Sequence, residues 1–444
     1  MANDWRRSTI GSLCDAAVVE LQTGPFGSQL HAYDYASEGV PVVPTEAIRA
    51  RRIDHSVLPK VSQSKADELS RHRLRLNDIL FARRGVQATG HIGFVREPEV
   101  GFLCGTGAIR LRVSQGRGAD AVDPAFLSHV LADSASIKWF KFHAIGATMP
   151  NLNEGIIRSF PLCLPPLAEQ RAIAQILNAL DDKVELNRRM SETLEAMIRA
   201  LFKSWFVDFD PVRAKAEASD PGLPAPIADL FPVRLVESEH GAIPDGWTIR
   251  TLGDFASHPR RGISPEEIDP GTPYIALEHM PKKCIALYDW GIGDGLQSNK
   301  FGFHRGEILF GKLRPYFHKV GVAPVDGVCS TDIVVVVPRS KLWCGFVLGH
   351  VSSDEFVEHT HAGSTGTKMP RTSWADMSSY AVVVPPESLA SEFASLTSSF
   401  VDRIIDGIHE SRTLATMRDT LLPKLISGEL RVPEAMKAIE EAAV

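Results

Sequence analysis

Basic side chains grouped at particular places are the residues of this sequence that could do chemistry, and they suit the binding of phosphates and base edges. Lysine and arginine neutralise phosphate groups, and arginine can donate paired hydrogen bonds to O6 and N7 of guanine. The segment 49–84 holds ten Lys or Arg and four Asp or Glu. Arg71, Arg73 and Arg75 alternate there, so a strand would place all three on one face. The candidate DNA contacts in the first half of the chain are Arg49, Arg51, Arg52, Arg71, Arg73, Arg83 and Arg84.

A second group of cations lies in the second half of the chain and partly repeats the placement of the first. Lys312 and Arg314 follow an Ile-Leu-Phe segment, and Arg83 and Arg84 follow another. This shared placement predicts equivalent contact loops in two related modules. A structural ion pair explains any single one of these cations equally well. The candidate DNA contacts in the second half are Arg260, Arg261, Lys312, Arg314 and Lys368.

The sequence motifs that catalysis on DNA would need are missing. No G-x-x-x-x-G-K-[ST] phosphate loop occurs. Methyl transfer to a flipped base would need an Asn/Asp-Pro-Pro-aromatic tetrad, and the nearest match, Asp269–Tyr274, is broken by two inserted residues. Glu307 and Lys312 are too far apart in sequence for a nuclease site, and His359 with His361 lacks further metal ligands nearby. We therefore predict a binding protein with no catalytic residue, cofactor or metal of its own.

The composition is typical of a globular protein, with 44% hydrophobic and 23% charged residues. A chain of 444 residues has room for two to four domains. Six cysteines without a Cys-x-x-Cys pair, and an N-terminus without an apolar run, predict reduced thiols and a cytoplasmic location. The net charge of −6 is unusual for a DNA-binding protein. However, the segment 208–245 holds eight acidic and three basic residues, so much of the acidity lies away from the basic segment.

An internal repeat organises the chain. The Met-Pro at 149–150 recurs at 369–370, which is an offset of 220 residues. The same offset takes the Pro-Pro at 165–166 to 385–386, and it continues without gaps through residues 191–201. Upstream of these segments the match is looser and the offset drifts. Each half therefore consists of a variable globular part followed by a well-matched tail.

The matched tails are predicted to be two helices that pair antiparallel within the chain. Their apolar residues are spaced alternately four and three apart, which is typical of a coiled-coil seam. Both seams are interrupted at the same two places, Asn187 with Gly407 and Ser191 with Ser411. The alternative is that each helix merely lies on its own globular part. The predicted seam residues are Ile173, Leu177, Leu180, Val184, Leu194, Ile198, Leu201, Phe393, Phe400, Ile404, Leu414 and Leu421.

The repeat and its helices divide the chain into segments. The first helix would be about 60 Å long at 1.5 Å per residue, enough to hold two readers about 34–36 Å apart, one turn of B-DNA. Six prolines in the segment after it predict a linker with little core of its own, and Pro423 should kink or end the second helix. The segments are a first recognition domain at 1–165, a central spacer helix at 166–209, a proline-rich acidic linker at 210–244, a second recognition domain at 245–386, a C-terminal spacer helix at 387–430 and a tail at 431–444.

The globular parts mix both kinds of secondary structure. Short apolar runs such as 40–43, 108–113 and 333–337 predict strands, whereas 123–141 and 345–358 have helical spacing. The predicted fold class is therefore α+β. It consists of two similar mixed α/β domains separated by two long antiparallel helices that form a coiled coil, with a pseudo-two-fold internal repeat.

Four motifs carry a resemblance to a known family. Residues 22–30 read QTGPFGSQL, residues 167–173 read LAEQRAI, residues 201–212 read LFKSWFVDFDPV and residues 422–432 read LPKLISGELRV. In this order they resemble the opening of a target-recognition domain, the start and the end of the central spacer helix, and the C-terminal signature of the specificity subunits of type I restriction-modification systems. The likeness covers nearly the whole chain, and the helix-end motifs are its specific part.

The resemblance implies a DNA-reading protein without a catalytic centre. Each target-recognition domain would read one half of a bipartite sequence in double-stranded DNA. The helices would set the gap between the halves and dock two modification subunits, which are methyltransferases, and restriction subunits would join the complex. S-adenosylmethionine, ATP and magnesium would belong to these partner subunits and not to this chain. No contact with a membrane is expected.

Two other functions are left open by the residues themselves. A coiled-coil scaffold with two protein-binding modules and no role on DNA would explain the seam and the acidic net charge, but not the matching basic loops. A self-contained restriction or modification enzyme would need the motifs that the sequence lacks. Binding of DNA in the presence of the modification partner separates the DNA reader from the scaffold.

Overall fold

The computed structural model describes residues 5–114, 121–146, 148–239, 241–364 and 369–442, and the chain divides into two compact units. The first unit comprises Met1–Asp182 and Leu414–Val444, and the second comprises Lys183–Thr413. Each unit thus contains its own part of each long helix, which the sequence analysis treats as separate segments. Both units mix helices and strands, so the predicted fold class is confirmed.

The strands of the first unit form two four-stranded and two two-stranded sheets within the described residues. These strands are β1 (Arg6–Thr9), β2 (Val19–Thr23), β3 (Tyr35–Ala36), β4 (Val40–Val43), β5 (Ile48–Arg49), β6 (Arg52–Ile53), β7 (Lys60–Val61), β8 (Ile79–Ala82), β9 (Ile92–Phe94), β10 (Leu103–Cys104), β11 (Ala108–Val113) and β12 (Pro161–Leu164). The larger sheets have the orders β2-β11-β8-β9 and β10-β4-β7-β3, while β1 pairs with β12 and β5 with β6. Every residue of β8 is buried, because β8 lies between two neighbours in its sheet.

The helices of the first unit contribute many of the buried residues of its core. In the described residues they are α1 (Ile10–Asp15), α2 (Gln63–Glu68), α3 (Pro124–Ala132), α4 (Ser134–His143), α5 (Glu154–Arg158), the first part of α6 (Leu167–Phe206), the end of α12 (Glu387–Ser427) and α13 (Val432–Ala442). The segment 123–141, which was predicted to be helical, forms two helices, α3 and α4, that are separated at Asp133. The Asp133 side chain accepts a hydrogen bond from Ala135 N at 2.9 Å and so caps α4. Phe81 of β8 meets Phe140 of α4 edge to face, with ring centroids 5.3 Å apart.

The second unit repeats the central sheet of the first. Its described strands are β13 (Leu235–Ser238), β14 (Gly241–Pro244), β15 (Thr248–Thr251), β16 (Ala256–Ser257), β17 (Gly262–Ile263), β18 (Pro273–Ile275), β19 (Gly291–Ile292), β20 (Lys300–Phe303), β21 (Ile308–Gly311), β22 (Val320–Val322), β23 (Gly327–Cys329), β24 (Ile333–Pro338) and β25 (Ala381–Val384). The order β16-β24-β21-β22 matches β2-β11-β8-β9 of the first unit. A five-stranded sheet has the order β17-β20-β23-β18-β19, and β13 pairs with β14 and β15 with β25.

The predicted proline-rich linker is folded into the second unit, so the prediction of a linker with little core is wrong. The described helices of this unit are α7 (Asp210–Ala216), α8 (Ala225–Ala228), α9 (Cys344–Val351), α10 (Asp354–Ala362), α11 (Trp374–Ser378) and parts of α6 and of α12 (Glu387–Ser427). Val212 and Phe231 lie between the prolines and Phe209 directly precedes the segment, and all three are buried in the core of the second unit. Pro211 and Pro226 lie in the first turns of α7 and α8, and the apolar residues supply the burial that orders the segment.

In the second unit, α6 and α12 pair antiparallel, as the sequence predicts. Asn187 Nδ2 donates to Glu410 Oε2 at 2.9 Å and to Ser411 Oγ at 3.4 Å. Three residues further along α6, Met190 Sδ accepts a hydrogen bond from Arg403 Nε at 3.3 Å. Partner numbers fall as the α6 numbers rise, which defines the antiparallel pairing. The polar interruptions of the two seams therefore meet each other.

The same two helices pair antiparallel in the first unit. Arg418 Nη1 donates to Asp181 Oδ1 at 2.7 Å, and Arg431, beyond the end of α12, pairs with Glu169 at 2.7 Å. Every predicted seam residue in either unit is buried or half-buried. Pro423 was predicted to kink or end the second helix, and it does not end α12, which continues to Ser427. Leucines on both sides of Pro423 are buried in the first core, and this packing offsets the lost backbone hydrogen bond.

A glycine allows α9 to approach α6 closely in the second unit. A Cβ added at Gly349 would lie 2.0 Å from Cδ2 of Phe202, a ring that is itself buried. We expect Gly349→Ala to lower the free energy of unfolding by about 1–3 kcal/mol, because the ring or the helix must move. Urea denaturation followed by circular dichroism measures this change. Gly363→Ala is the matched control, since its Cβ would meet no atom closer than 3.6 Å. Equal stability of the two variants would contradict the expected clash.

Candidate nucleic-acid interface

In the first unit, the loop after β8 exposes one arginine and holds another in place. Arg83 is half-buried, and its Nε donates to Asn151 Oδ1 at 3.0 Å and to the Leu152 carbonyl at 3.1 Å. The side chain of Arg84 is exposed, as is that of Arg49 in β5. Arg49 and Arg84 can therefore reach a phosphate from the protein surface, whereas Arg83 supports the backbone of the loop.

Arg51 is buried, which makes the predicted DNA contact wrong for this residue. It is 4% exposed and forms an ion pair with Asp181. Its guanidinium also donates to Ser128 Oγ at 3.1 Å and to Asn178 Oδ1 at 3.0 Å, and its Cζ lies 5.2 Å from the ring centroid of Phe94. Arg51 therefore fastens the β5–β6 hairpin to α6 within the first unit.

Asp181 lies between two arginines in this buried cluster. Burial alone would raise the pKa of Asp181, but the charges of Arg51 and Arg418 hold it below its ordinary value. Burial lowers the pKa of Arg51 to about 10, so the guanidinium stays protonated at neutral pH. Burial and the nearby charge of Arg51 lower the pKa of His129 far below its usual value, so this ring is neutral. The cluster thus anchors the fold and is not a DNA contact.

The remaining predicted DNA contacts of the first unit differ from one another in exposure and in backbone structure. The backbone at Arg71 forms a 3₁₀ turn and not a strand, so the alternation of Arg71, Arg73 and Arg75 does not define one face, although Arg71 and Arg75 are both exposed. Arg73 pairs with Asp67 at 2.7 Å and donates to a backbone carbonyl at 3.0 Å. Arg52, in β6, is half-buried. Of this group, Arg71 is the predicted contact that reaches the surface most fully.

The predicted contacts of the second unit also divide into exposed and engaged cations. Arg260 is exposed and has a φ of 46°. Arg261 is half-buried and forms two hydrogen bonds with the carboxylate of Glu307, at 2.7 and 2.8 Å. Arg314 is half-buried with a φ of 51°, and Lys368 lies outside the described residues. Arg261 is therefore engaged in a structural ion pair, and Arg260 is the more accessible of the two.

The loops that follow the two equivalent strands have the same backbone pairing. Lys312 follows β21 in the second unit as Arg83 follows β8 in the first. The backbone N–H of Thr372 donates to the carbonyl of Lys312 at 3.1 Å, and the N–H of Leu152 donates to the carbonyl of Arg83 at 2.8 Å. The two modules therefore present a cation at the same structural position.

A cavity of about 290 Å³ lies beside this loop in the second unit. Its lining includes Arg260, Lys312, His258, Phe301, Trp374 and Thr372. The two cations were predicted from the sequence, whereas the rings and the hydroxyl were not. The offset of 220 residues holds one signal that could have found them, since Trp374 stands where the first repeat has Glu154. A change from a carboxylate to an indole at a matched position indicates that this position has a different function in the two units.

In the described residues, no three His, Cys, Asp or Glu side chains are grouped so that they could hold a metal ion. The Nε2 of His359, which the sequence analysis considers as a ligand, forms a 3.1 Å hydrogen bond with the Asp376 carbonyl. All six cysteines are free thiols. None of the helices in the described part of the chain combines the length and apolar character needed to cross a bilayer.

Comparisons with known proteins agree with this architecture. A family model described as the type I restriction modification DNA specificity domain matches residues 3–196. The MjaIX specificity subunit of Methanocaldococcus jannaschii is 26% identical over 328 residues, which cover 71% of each chain. The HindI specificity subunit of Haemophilus influenzae is 25% identical over 365 residues, covering 70% of this chain and 78% of that one. The crystal structure of the type I S subunit from M. genitalium matches 95% of this chain and 96% of that one, with a TM-score of 0.54 and 15% identity.

A duplicated α/β module with paired long helices and a cation loop at the same place in each copy defines a two-part binding protein. The chain is similar to the specificity subunits of type I restriction-modification systems. These subunits are the non-catalytic members of their systems.

Proposed function

We propose that this chain reads a bipartite DNA target and that each unit reads one half of it. The observation that carries the proposal is the repeated loop, in which the exposed Arg84 and the half-buried Lys312 follow equivalent strands and the carbonyls of Arg83 and Lys312 accept equivalent hydrogen bonds. Cations at these loops suit contacts to phosphates, which position a protein on the duplex, and arginines beside them suit base edges. Two copies of such a loop fit a target that has two separated halves.

The helix pair is proposed to set the gap between the halves and to dock two methyltransferase subunits. The repeat supports a stoichiometry of two, because each copy offers a similar surface to one kind of partner. We assign S-adenosylmethionine, ATP and magnesium to the partner subunits and no cofactor to this chain. We also place the complex in the cytoplasm, a location that the six free thiols support.

The two exposed arginines of the first unit test DNA contact directly. We expect the double variant Arg49→Ala and Arg84→Ala to weaken DNA binding, because both side chains are exposed cations that can reach a phosphate. Each lost phosphate contact should reduce the slope of log K against log salt by about 0.9, so two lost contacts reduce it by about 2. The measurement is a salt titration of the complex with the modification partner on target duplex.

Arg234→Ala is the control for a general loss of positive charge. Arg234 is also exposed, but it lies just before β13, outside both long helices, and pairs with Asp245 at 2.8 Å. This variant should leave both the affinity and the slope unchanged. If the double variant binds DNA with the affinity and salt slope of the wild type, Arg49 and Arg84 are not contacts. If the wild-type complex binds no duplex at all, the proposed function itself is wrong.

A further inference from the structure

The cavity of the second unit combines positive charge with aromatic walls. Arg260 and Lys312 supply the charge, and no acidic side chain lines the cavity among the described residues. Rings of His258 and Trp374 lie 6.3 Å apart between their centroids. His258 forms a 2.9 Å hydrogen bond through Nδ1 with a backbone carbonyl, and burial, despite that bond, lowers the pKa of its ring. The cations therefore lie beside neutral rings.

A hydroxyl group in the cavity points to a missing ligand. Thr372 is 3% exposed and lines the cavity, and its Oγ1 has no hydrogen-bond partner among the described residues. An unpaired buried hydroxyl costs about 1–3 kcal/mol, so such groups in native proteins usually have a partner. A ligand atom inside the cavity would supply that partner.

The equivalent place in the first unit has different chemistry. Leu152 stands where the second repeat has Thr372, and it is fully buried. Glu154 stands where the second repeat has Trp374, and its Oε1 accepts a 2.9 Å hydrogen bond from Thr23. A carboxylate at this place disfavours an anionic ligand. The two units therefore differ at the same structural position.

We propose that this cavity holds one nucleotide of the bound DNA. Its phosphate lies between Arg260 and Lys312, the hydroxyl of Thr372 hydrogen-bonds to it, and its base or sugar packs on Trp374. Phosphates seek cations and bases stack on aromatic rings, and the cavity offers both kinds of group side by side. This assignment rests on the proposed function, and it adds a nucleotide-sized contact that the first unit does not share.

The test removes the two groups that the assignment needs. Full-length chain in complex with the modification partner is titrated with the duplex target found by methylome sequencing of the host. We expect Trp374→Leu to weaken binding about tenfold, a change typical of losing one stacked base. Thr372→Val should also weaken binding about tenfold, a change typical of losing one hydrogen bond to a charged group. Thr372→Val should not lower the melting temperature, because the hydroxyl has no partner to lose. Thr248→Val, an exposed threonine on β15, is the control and should bind normally.

Fluorescence separates the possible sources of the nucleotide. The Trp374 fluorescence is obtained as the difference between the emission of the wild type and that of Trp374→Phe. The duplex should quench this fluorescence. Each of the four deoxynucleoside 5′-monophosphates serves as a second probe. Quenching by a free monophosphate but not by the duplex would overturn the assignment to DNA. Wild-type affinity in both variants, with the wild type binding its target, would overturn the cavity assignment and leave the proposed function standing. A wild type that binds no duplex would overturn both.

Discussion

An Asp181→Ala variant should unfold more easily than the wild type by about 3–5 kcal/mol, because the buried Arg51 and the half-buried Arg418 then lose their shared counterion. Asp181 pairs with Arg51 on one side and with Arg418 on the other. The side chains of Asp181 and Arg51 are 10% and 5% exposed, so water cannot replace the lost carboxylate. Urea denaturation of the full chain, followed by a signal from the first unit, measures the loss.

Asp182→Ala is the matched control for this variant. The neighbouring carboxylate is 63% exposed and pairs with Arg96 at 2.6 Å. An exposed pair contributes less than about 1 kcal/mol, so this variant should be close to the wild type. Replacing Arg51, Asp181 and Arg418 together with apolar residues should restore much of the stability, since no charge is then buried without a partner. Similar losses for Asp181→Ala and Asp182→Ala would contradict this account of the cluster.

The contribution of Asp181 should also depend on pH with a defined sign. Its folded-state pKa is lowered, so the carboxylate stabilises the folded chain at pH values above its ordinary pKa of 3.8. This stabilisation is lost as the pH falls through the folded-state pKa. The difference in stability between the wild type and Asp181→Ala should therefore shrink as the pH is lowered below about 4.

The architecture could be predicted because its signals are local and repeated. The seam of α6 follows from apolar residues spaced three and four apart, and the offset of 220 residues identifies α12 as its copy. The pairing of Asn187 with Ser411 follows from interruptions that occur at the same places in both seams. The buried strands β11 and β24 are visible as short runs of mainly apolar residues.

Whether an individual cation is buried or exposed could not be predicted, because this depends on partners that are far away in sequence. Arg51 lies in the most basic segment, but the groups that bury it are 77 to 130 residues away in Ser128, Asn178 and Asp181. No spacing rule connects such positions. The cavity was missed for a similar reason, since Arg260, Lys312 and Trp374 come from three separated segments. Exposed and buried arginines look alike until the fold is known.

Lengthening both long helices by one heptad should change which DNA the complex modifies. We would insert a copy of residues 183–189 before Lys183 and a copy of residues 407–413 after Thr413, at the border of the two units on each helix. Seven residues add about 10 Å to each helix, which is about three base pairs of duplex. Methylome sequencing of a host carrying the variant should show the same two half-sequences with a gap about three base pairs longer.

An insertion in α6 alone is the control, because it lengthens one helix against an unchanged partner. Residues beyond the insertion would then face the wrong residues of α12, and pairs such as Asn187 with Ser411 could not form together with Asp181 and Arg418. This variant should fail to modify DNA at either gap. An unchanged gap with normal modification in the double insertion would show that the helices do not set the spacing. Loss of modification in the double insertion, with the complex assembled and bound to DNA, would mean that the helices set the spacing and that methylation requires one particular gap length.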